Sequence, residues 1–312
     1  MEYRQLGKSG VKVSLVGLGC NNFGGRMELE ASRKTVHKAL DLGINLLDTA
    51  DVYGNKGGSE ECLGMILGPR RKDIVLATKF GQAMDDAGML KGLSRRHAMQ
   101  ALEASLRRLK TDWIDLYQIH WPDGVTPVEE TLRAMDDMAR QGKVRYTGCS
   151  NFAGWQLVEA LWTSRHLGLS GFISAQNEYS LLARGIETEL VPAMRQYGVG
   201  FLPYFPLASG LLTGKYKRDA AMPMGTRMTK VQVFADKFLT EANWRKLEKL
   251  DDFCAKRGRK MLELAFSWLA CRPVVSSVIA GATSPEQLEQ NVAAVGWKLG
   301  EDDMKELDAL TA

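Results

Sequence analysis

The sequence has no long apolar run. Nowhere do about 18 consecutive apolar residues, the length that a transmembrane helix requires, stand together. The polar first residues, MEYRQLGKSG, lack the apolar core of a signal peptide. We therefore expect a soluble, cytoplasmic protein without a membrane partner.

Disulfide and metal-binding motifs are also missing. The five cysteines are odd in number and widely spaced, and no C-x-x-C pair occurs: Cys20, Cys62, Cys149, Cys254 and Cys271. This spacing argues against a disulfide framework or a structural zinc site, so we expect reduced thiols and no bound metal. Basic residues number 41 and acidic residues 37, a net charge of +4 spread along the chain, which does not favour a nucleic-acid partner.

What the sequence does contain is a regular alternation of short apolar runs and longer segments with helical periodicity. The eight predicted strands are residues 14–20, 44–50, 73–80, 114–120, 144–150, 171–178, 199–206 and 274–281. Most are almost entirely apolar, as expected for parallel strands that are covered on both faces. Eight strand–helix units without a linker predict an α/β fold, a (β/α)8 TIM barrel that forms one domain over residues 1–312.

Two segments fall outside this repeat. Residues 3–13 predict an N-terminal β-hairpin that plugs the bottom of the barrel. Residues 208–240 predict a long loop after strand seven without a clear period, a length that is typical of lids and binding loops. Between strands, Thr126 with Glu129 and Ser284 with Gln287 have the spacing of capping boxes at helix starts.

Polar residues stand where the predicted strands end, on the face that carries the active site in barrel enzymes. These residues are Asp48, Lys79, His120, Ser150, Asn151, Gln176 and Tyr204. Taken singly, Asp48 could cap a turn, His120 could be a satisfied buried histidine, and Tyr53 could be an ordinary aromatic at the rim. Lys79 ends an apolar strand and therefore needs a partner or access to water.

Taken together, four of these positions indicate acid–base chemistry on a carbonyl group. The ammonium of Lys79 would favour the phenolate of Tyr53 and so make its hydroxyl a better acid. Asp48 would hold Lys79, and His120 would orient the carbonyl oxygen of the substrate. The reaction that this implies adds hydride to a carbonyl carbon, and because no side chain supplies hydride, a nicotinamide cofactor is predicted.

The motif GLGCNN does not predict a Rossmann fold, because Asn22 stands where the third glycine is required. A better phosphate site is IAGATSPEQLEQN, where Gly281 allows close backbone approach and the helix that starts near Ser284 directs amide groups at the mouth of the barrel. A routine helix cap is the alternative for this motif.

The carboxamide and ring of a nicotinamide have candidate partners as well. Ser150, Asn151 and Gln176 offer complementary donors and acceptors for a carboxamide. Tyr204 offers a flat face for stacking.

The segments GINLLDTADVYG, LATK, DLYQIH, VRYTGCSNF and SAQNEYSLL resemble, in order and spacing, the signature segments of the aldo-keto reductases over essentially the whole chain. PLASGLLTGKY and GATSPEQLEQN are most similar to the bacterial reductases and the potassium-channel β subunits. The resemblance implies an NADPH-dependent carbonyl reductase on a (β/α)8 barrel. It implies the catalytic tetrad Asp48, Tyr53, Lys79 and His120, with Tyr53 as the proton donor.

The resemblance also implies a cofactor site. Its nicotinamide and pyrophosphate part comprises Gly19, Cys20, Asp48, Ser150, Asn151, Gln176, Tyr204, Phe205, Pro206, Leu207, Ala208 and Ser209. Its adenosine part comprises Gly281, Thr283, Gln287, Gln290 and Asn291, with Lys215 and Arg227 at the 2′-phosphate.

The chain departs from the family pattern in two places. Phe205 stands where serine is usual, which removes one polar contact to the cofactor. Gly281 and Gln287 stand where many members have a lysine and an arginine. The predicted preference for NADPH over NADH therefore depends on Lys215 and Arg227, and NADH remains possible.

The predicted substrate is an aldehyde, a ketone or an aldose-like sugar that contacts Tyr53, His120 and Trp121, although Trp121 could equally be a core residue. Two other functions remain open. Lys79 could be a Schiff-base lysine, as in barrel aldolases. Alternatively, the chain could be a non-enzymatic, nucleotide-sensing subunit similar to the channel β subunits.

Overall fold

The computed structural model describes residues 1–218, 220–224 and 226–311, apart from the side chains of Arg227 and Lys230. The strands of this part of the chain are β1 (Tyr3–Gln5), β2 (Lys12–Ser14), β3 (Val16–Gly19), β4 (Leu46–Asp48), β5 (Val75–Phe80), β6 (Ile114–Ile119), β7 (Val144–Ser150), β8 (Phe172–Gln176), β9 (Gly200–Phe201) and β10 (Val278–Gly281).

The α-helices are α1 (Leu29–Asp41), α2 (Tyr53–Ile66), α3 (Arg95–Leu109), α4 (Val128–Arg140), α5 (Gly154–Leu167), α6 (Leu190–Tyr197), α7 (Arg227–Lys230), α8 (Gln232–Phe238), α9 (Glu241–Lys256), α10 (Met261–Ala270), α11 (Pro285–Ala293) and α12 (Glu301–Thr311). Short 3-10 helices cover Gly68–Asp73, Gly185–Glu187, Ala208–Thr213 and Ala294–Gly296. Among the described residues, no helix combines the length and the apolarity that crossing a membrane requires.

Eight parallel strands form one sheet in the order β10, β3, β4, β5, β6, β7, β8, β9. The two ends of this sheet meet at Phe201 in β9, whose amide donates to the carbonyl of Val274 and whose carbonyl accepts from the amide of Ser276, just before β10. The sheet thus closes on itself with helices between its strands, and the predicted (β/α)8 barrel is confirmed.

All eight predicted barrel strands are present, and β7 has the predicted bounds, whereas the others are shorter. The largest difference is at β9, which was predicted over residues 199–206 and covers only Gly200–Phe201. Pro203 has no amide hydrogen to donate to a neighbouring strand, so regular pairing ends before it. Tyr204 resumes contact with the sheet through one bridge to Glu178.

The N-terminal hairpin is confirmed and closes the lower end of the barrel. Strands β1 and β2 pair antiparallel, and Leu6 and Val13 from this hairpin are completely buried. They pack against side chains that point into the barrel and form a buried apolar cluster with them: Leu46, Ala77, Leu116, Leu202 and Ile279. The tip of the hairpin, KSG, is polar, and the apolar side chains of Leu6 and Val13 on either side of it contact the floor of the barrel.

The predicted capping box before α4 is wrong. The hydroxyl of Thr126 donates to Asp123 at 2.6 Å, and Pro127 takes the cap position without a side-chain hydrogen bond. Glu129 pairs with Arg133 one turn further on, at 2.8 Å. Asp123 also accepts from the Thr126 amide, which in a capping box would have donated to Glu129.

The long segment after β9 is more ordered than its sequence suggests. It contains the 3-10 helix Ala208–Thr213 and the helices α7 and α8, where no periodic structure was predicted. Phe234 of α8 packs edge-to-face against Phe205 at 5.5 Å between ring centroids. Lys237 of α8 forms an ion pair with Glu178, which follows β8. These contacts fasten the segment to the upper rim of the barrel.

Candidate active site

Lys79 is the centre of the polar group at the upper end of the barrel. Its Nζ lies 2.9 and 2.8 Å from the two carboxylate oxygens of Asp48 and 2.9 Å from the carbonyl oxygen of Thr49. These contacts hold the ammonium in place, and it also shares a hydrogen bond with the Tyr53 hydroxyl. Asp48 therefore pairs with Lys79 rather than capping a turn.

Tyr53 lies beside this ion pair at the first position of α2. Its ring centroid is 5.1 Å from the Nζ of Lys79 and 5.6 Å from the ring centroid of His120, with the two rings nearly perpendicular at 82°. Asp48, Tyr53, Lys79 and His120 are thus brought together, as the sequence predicted.

A left-handed turn directly after Tyr53 sets its direction. Gly54, Asn55 and Lys56 all have φ between 61 and 68°, and Gly57 has φ of 123°. A Cβ at Gly54 would lie 2.4 Å from the carbonyl oxygen of Phe23, closer than any side chain can approach. Position 54 therefore requires glycine both for its dihedral angle and for its contact.

The pKa of Tyr53 differs from the sequence-based expectation. Lys79 lowers this pKa through its charge and a hydrogen bond, in the direction that was predicted, but burial raises it by more, so the net pKa of the phenol lies above its usual value. Burial would by itself lower the pKa of Lys79, but Asp48 and Tyr53 outweigh it and leave the pKa raised. At neutral pH the site accordingly contains a neutral phenol next to an ammonium.

His120 contributes a neutral imidazole. Burial, followed by the charge of Lys79, lowers the pKa of His120 to about 3. Its Nδ1 has no hydrogen-bond partner among the described residues, so it is not the satisfied core histidine of the alternative interpretation. A neutral imidazole can donate one hydrogen bond to a ligand without carrying charge.

The amide side chains predicted to bind a carboxamide form a network of their own. Asn151 donates to the His120 carbonyl at 2.9 Å and to the Ser150 hydroxyl at 3.0 Å, and accepts from the Tyr204 hydroxyl at 2.7 Å. Gln176 donates to Asp48 at 3.0 Å. Each amide retains unused acceptor capacity, and Gln176 also retains one donor, so a carboxamide could still bind.

These groups border one cavity of about 1350 Å³. The predicted site residues that line it are Gly19, Asp48, Tyr53, His120, Trp121, Ser150, Asn151, Gln176, Tyr204, Phe205, Pro206, Leu207, Ser209, Lys215, Gly281, Thr283, Gln287, Gln290 and Asn291. Trp121 is 49% exposed, which rules out the core position that was the alternative for it. Cys20 and Ala208 are buried behind the lining, and the side chain of Arg227 lies outside the described residues.

The predicted phosphate site at α11 is partly occupied by its own side chains. The amide and hydroxyl of Thr283 both donate to Oε1 of Gln287, at 3.0 and 3.1 Å, and the amide of Gln287 donates to the Ser284 hydroxyl at 3.4 Å. The backbone at Gly281 is not closely enclosed either, since an added Cβ would meet its nearest neighbours at 3.5 Å, an ordinary contact distance. Ser209, by contrast, lines the cavity with a buried hydroxyl that has no hydrogen-bond partner in the described part of the chain, a group suited to a phosphate oxygen.

Sequence analysis missed several residues of the lining. Asn21, Asn22, Arg26 and Glu28 follow β3 and border the same cavity. Their position could have predicted them, because these polar residues follow the end of a predicted strand, as the other site residues do.

Comparison with known proteins identifies relatives along almost the whole chain. A family model described as the aldo/keto reductase family matches residues 15–312. The chain is 39% identical to the uncharacterized oxidoreductase YrpG of Bacillus subtilis, over 99% of this chain and 95% of that protein. It is also 39% identical to a probable voltage-gated potassium channel subunit beta of Arabidopsis thaliana, over 95% and 91% of the two chains. L-glyceraldehyde 3-phosphate reductase of Escherichia coli is 36% identical, over 95% and 88%.

Proposed function

The chain belongs to the aldo/keto reductase family, and from that premise we propose that it is an NADPH-dependent reductase of aldehydes, ketones or aldose-like sugars with Tyr53 as its proton donor. The observation that carries the proposal is the position of Tyr53 and His120 on one wall of the cavity, with the ion pair of Lys79 and Asp48 directly beside them.

In the proposed reaction, the carbonyl oxygen of the substrate lies between the Tyr53 hydroxyl and His120. A bound nicotinamide supplies the hydride that the carbonyl carbon gains. Tyr53 transfers its proton to the oxygen, and the nearby Lys79 ammonium stabilises the phenolate that remains. The raised pKa of Tyr53 keeps the proton in place until substrate arrives. The same groups could carry out alcohol oxidation in reverse.

Residues of the cavity fit a nicotinamide dinucleotide. The unused donor and acceptor positions of Asn151 and Gln176 would hold the carboxamide, and the ring of Tyr204 would lie against the nicotinamide. The unpartnered hydroxyl of Ser209 would meet the pyrophosphate.

A preference for NADPH is proposed on the basis of Lys215 and Arg227. Lys215 is exposed, lines the cavity and forms no ion pair with a described residue; its ammonium lies 5.1 Å from the ring of Tyr216. An ammonium in this position can meet a 2′-phosphate.

The substrate is proposed to be a small carbonyl compound that approaches past Trp121. The half-exposed indole borders the cavity next to His120 and offers a flat apolar wall to a sugar or to an aliphatic chain. A relative whose name states reduction of L-glyceraldehyde 3-phosphate supports a polar aldehyde among the candidates.

The alternative of a Schiff-base lysine is not favoured. Formation of a Schiff base requires a neutral amine, and the raised pKa of Lys79 keeps its amine protonated within the ion pair with Asp48. The relation to channel subunits supports a sensing role only in so far as such proteins have the same kind of barrel, and the complete tetrad supports an enzyme.

The experiment that tests the proposal replaces Tyr53 by phenylalanine. Loss of a general acid lowers kcat/KM by about 100-fold to 10,000-fold. We expect a loss in that range for reduction of an aldehyde followed at the absorbance of NADPH, with NADPH affinity by fluorescence titration almost unchanged. Tyr3→Phe is the matched control, because the Tyr3 hydroxyl on the hairpin donates to the carbonyl of Gly43 after α1, and neither residue lines the cavity. Equal turnover of Tyr53→Phe and the native enzyme would refute the assigned role.

A further inference from the structure

Asp51 is a buried carboxyl group that the proposed reaction does not use. Its side chain is completely buried, and neither of its oxygens has a hydrogen-bond partner among the described residues. It stands two residues before Tyr53, and its amide donates to the carbonyl of Lys79 at 3.1 Å. A change at Asp51 therefore reaches two members of the tetrad through the backbone.

Arg108, the cation that acts most strongly on the pKa of Asp51, is already paired with another carboxylate. Glu60 of α2, also completely buried, accepts from Arg108 of α3 at 2.7 Å and from the Thr78 hydroxyl at 2.6 Å. With the guanidinium held by Glu60, an ionised Asp51 would place a second negative charge beside the first without a counterion of its own. Such an arrangement strongly favours the neutral acid.

The remaining groups that face Asp51 do not supply this counterion. Lys79 of β5 gives its hydrogens to Asp48 and Thr49, and Tyr117 of β6 contributes a buried, unpartnered hydroxyl. Burial raises the pKa of Asp51 to about 8 and Glu60 adds to the rise, while Arg108, the Val52 amide and Lys79 offset only part of it.

We propose that Asp51 is a positioning residue that works as a neutral acid: while protonated it lets the chain from Asp51 to Tyr53 lie against β5, and its ionisation displaces Tyr53 from Lys79. Ionisation requires the carboxylate to reach Arg108 or solvent, because a bare charge between α2 and the barrel is not tolerated. Movement in either direction pulls on the left-handed turn that holds Tyr53. This inference rests on the proposed reduction and adds the residue that sets its upper pH limit.

The test compares pH profiles of kcat/KM for aldehyde reduction at saturating NADPH. A single ionisation near pH 8 lowers the native value about tenfold between pH 7 and pH 9. Asp51→Asn retains a neutral side chain of the same shape, so we expect the native rate at pH 7 within about threefold and no decline up to pH 9.

A second variant should shift the upper pH limit of kcat/KM in the opposite direction. Glu60→Gln removes the neighbouring charge and frees Arg108 to bind Asp51, which makes Asp51 more acidic and shifts the decline to lower pH. Glu61→Gln is the control, because Glu61 is exposed on the same helix and its loss should leave the profile in place. A merely structural role would not move the limit in opposite directions in Asp51→Asn and Glu60→Gln.

Carbon-13 NMR of the native protein, labelled at its aspartate carboxyl carbons, keeps the proposal testable even if a variant does not fold. One carboxyl signal should titrate near pH 8, together with the decline in rate. The proposal is overturned if no aspartate titrates between pH 6 and pH 10, or if Asp51→Asn keeps the native profile. Because this titration needs no turnover, it separates a failure of the inference from a failure of the proposed reduction.

Discussion

Lys79 acts on Tyr53 through its positive charge and through a side-chain hydrogen bond, and both lower the pKa of the phenol. Its ammonium is held in place by the carboxylate of Asp48 and the carbonyl of Thr49. An electrostatic effect of this kind is strong only where water is excluded, and Lys79 is completely buried. The ion pair thus fixes a positive charge beside Tyr53, where the proposed reaction would develop negative charge.

The proposed preference for NADPH depends on single residues on the cavity rim, and Lys215→Ala tests it. If Lys215 contacts the 2′-phosphate, loss of that charged contact costs about 1.5 to 3 kcal/mol, so the KM for NADPH should rise at least about tenfold while that for NADH changes less than about twofold. Arg227→Ala should behave in the same way.

Steady-state kinetics with both cofactors measures this difference. Lys217→Ala is the control, since Lys217 pairs with Asp251 outside the cavity. Equal changes in the KM for NADPH and NADH would remove Lys215 from the phosphate site.

The sequence could predict that the four residues of the proposed tetrad lie together, but it could not predict the net pKa of Tyr53. Asp48, Lys79 and His120 follow apolar runs, and their pairing at one rim follows from the closure of a barrel. The direction of the Tyr53 pKa shift depends on how much water reaches the phenol, which no local pattern encodes. For the same reason the sequence does not predict that Asp51 and Glu60 are buried near each other, because their burial depends on how α2 and α3 pack against the strands.

At the scale of one structural element, the turn after Tyr53 places backbone strain beside the proposed proton donor. A run of left-handed residues is rare outside glycine, yet Asn55 and Lys56 both adopt it here. Such strain persists only where surrounding contacts enforce it, and it is concentrated at functional sites. The contact of Gly54 with the loop after β3 is one of these constraints.

Gly54→Ala should therefore damage both stability and activity. A left-handed residue with a Cβ costs about 1 to 2 kcal/mol from backbone strain alone, and the contact with Phe23 adds to this. We expect a lower midpoint of urea unfolding and a reduced kcat, because Tyr53 must move with the turn.

Gly142→Ala separates the two effects. Gly142 has φ of 74° after α4 and no neighbour within 4 Å of an added Cβ. It should lose stability through strain while keeping its activity. If Gly54→Ala kept the native kcat, the turn would not position Tyr53.

Strands and most helices could be predicted from periodicity, whereas this turn could not. The sequence YGNKGG indicates a flexible or turning segment, but the left-handed conformation of Asn55 and Lys56 depends on contacts from distant parts of the chain. The failed capping box at Thr126 has the same origin, because Asp123 competes for the same donors.

For the molecule as a whole, the hairpin at the lower end contributes to stability without contacting the site. Leu6→Ala removes a completely buried side chain from the cluster that it forms with the barrel floor. Such a deletion costs about 2 to 5 kcal/mol, so urea unfolding should shift markedly while kcat of the folded enzyme stays the same.

Val125→Ala is the control, because Val125 is 86% exposed and its truncation should change the free energy of unfolding by less than about 0.5 kcal/mol. A loss for Leu6→Ala as small as that of the control would mean that the hairpin is not part of the core. That residues 1–312 form a single domain stays a prediction, and a single cooperative transition in the native protein would support it.

The filled lower end of the barrel also limits the side from which ligands can enter. With Leu6 and Val13 packed into the floor, molecules can reach the polar end only from the opposite direction. For the proposed reaction we therefore expect ordered binding, in which the more deeply bound of cofactor and substrate enters first and leaves last.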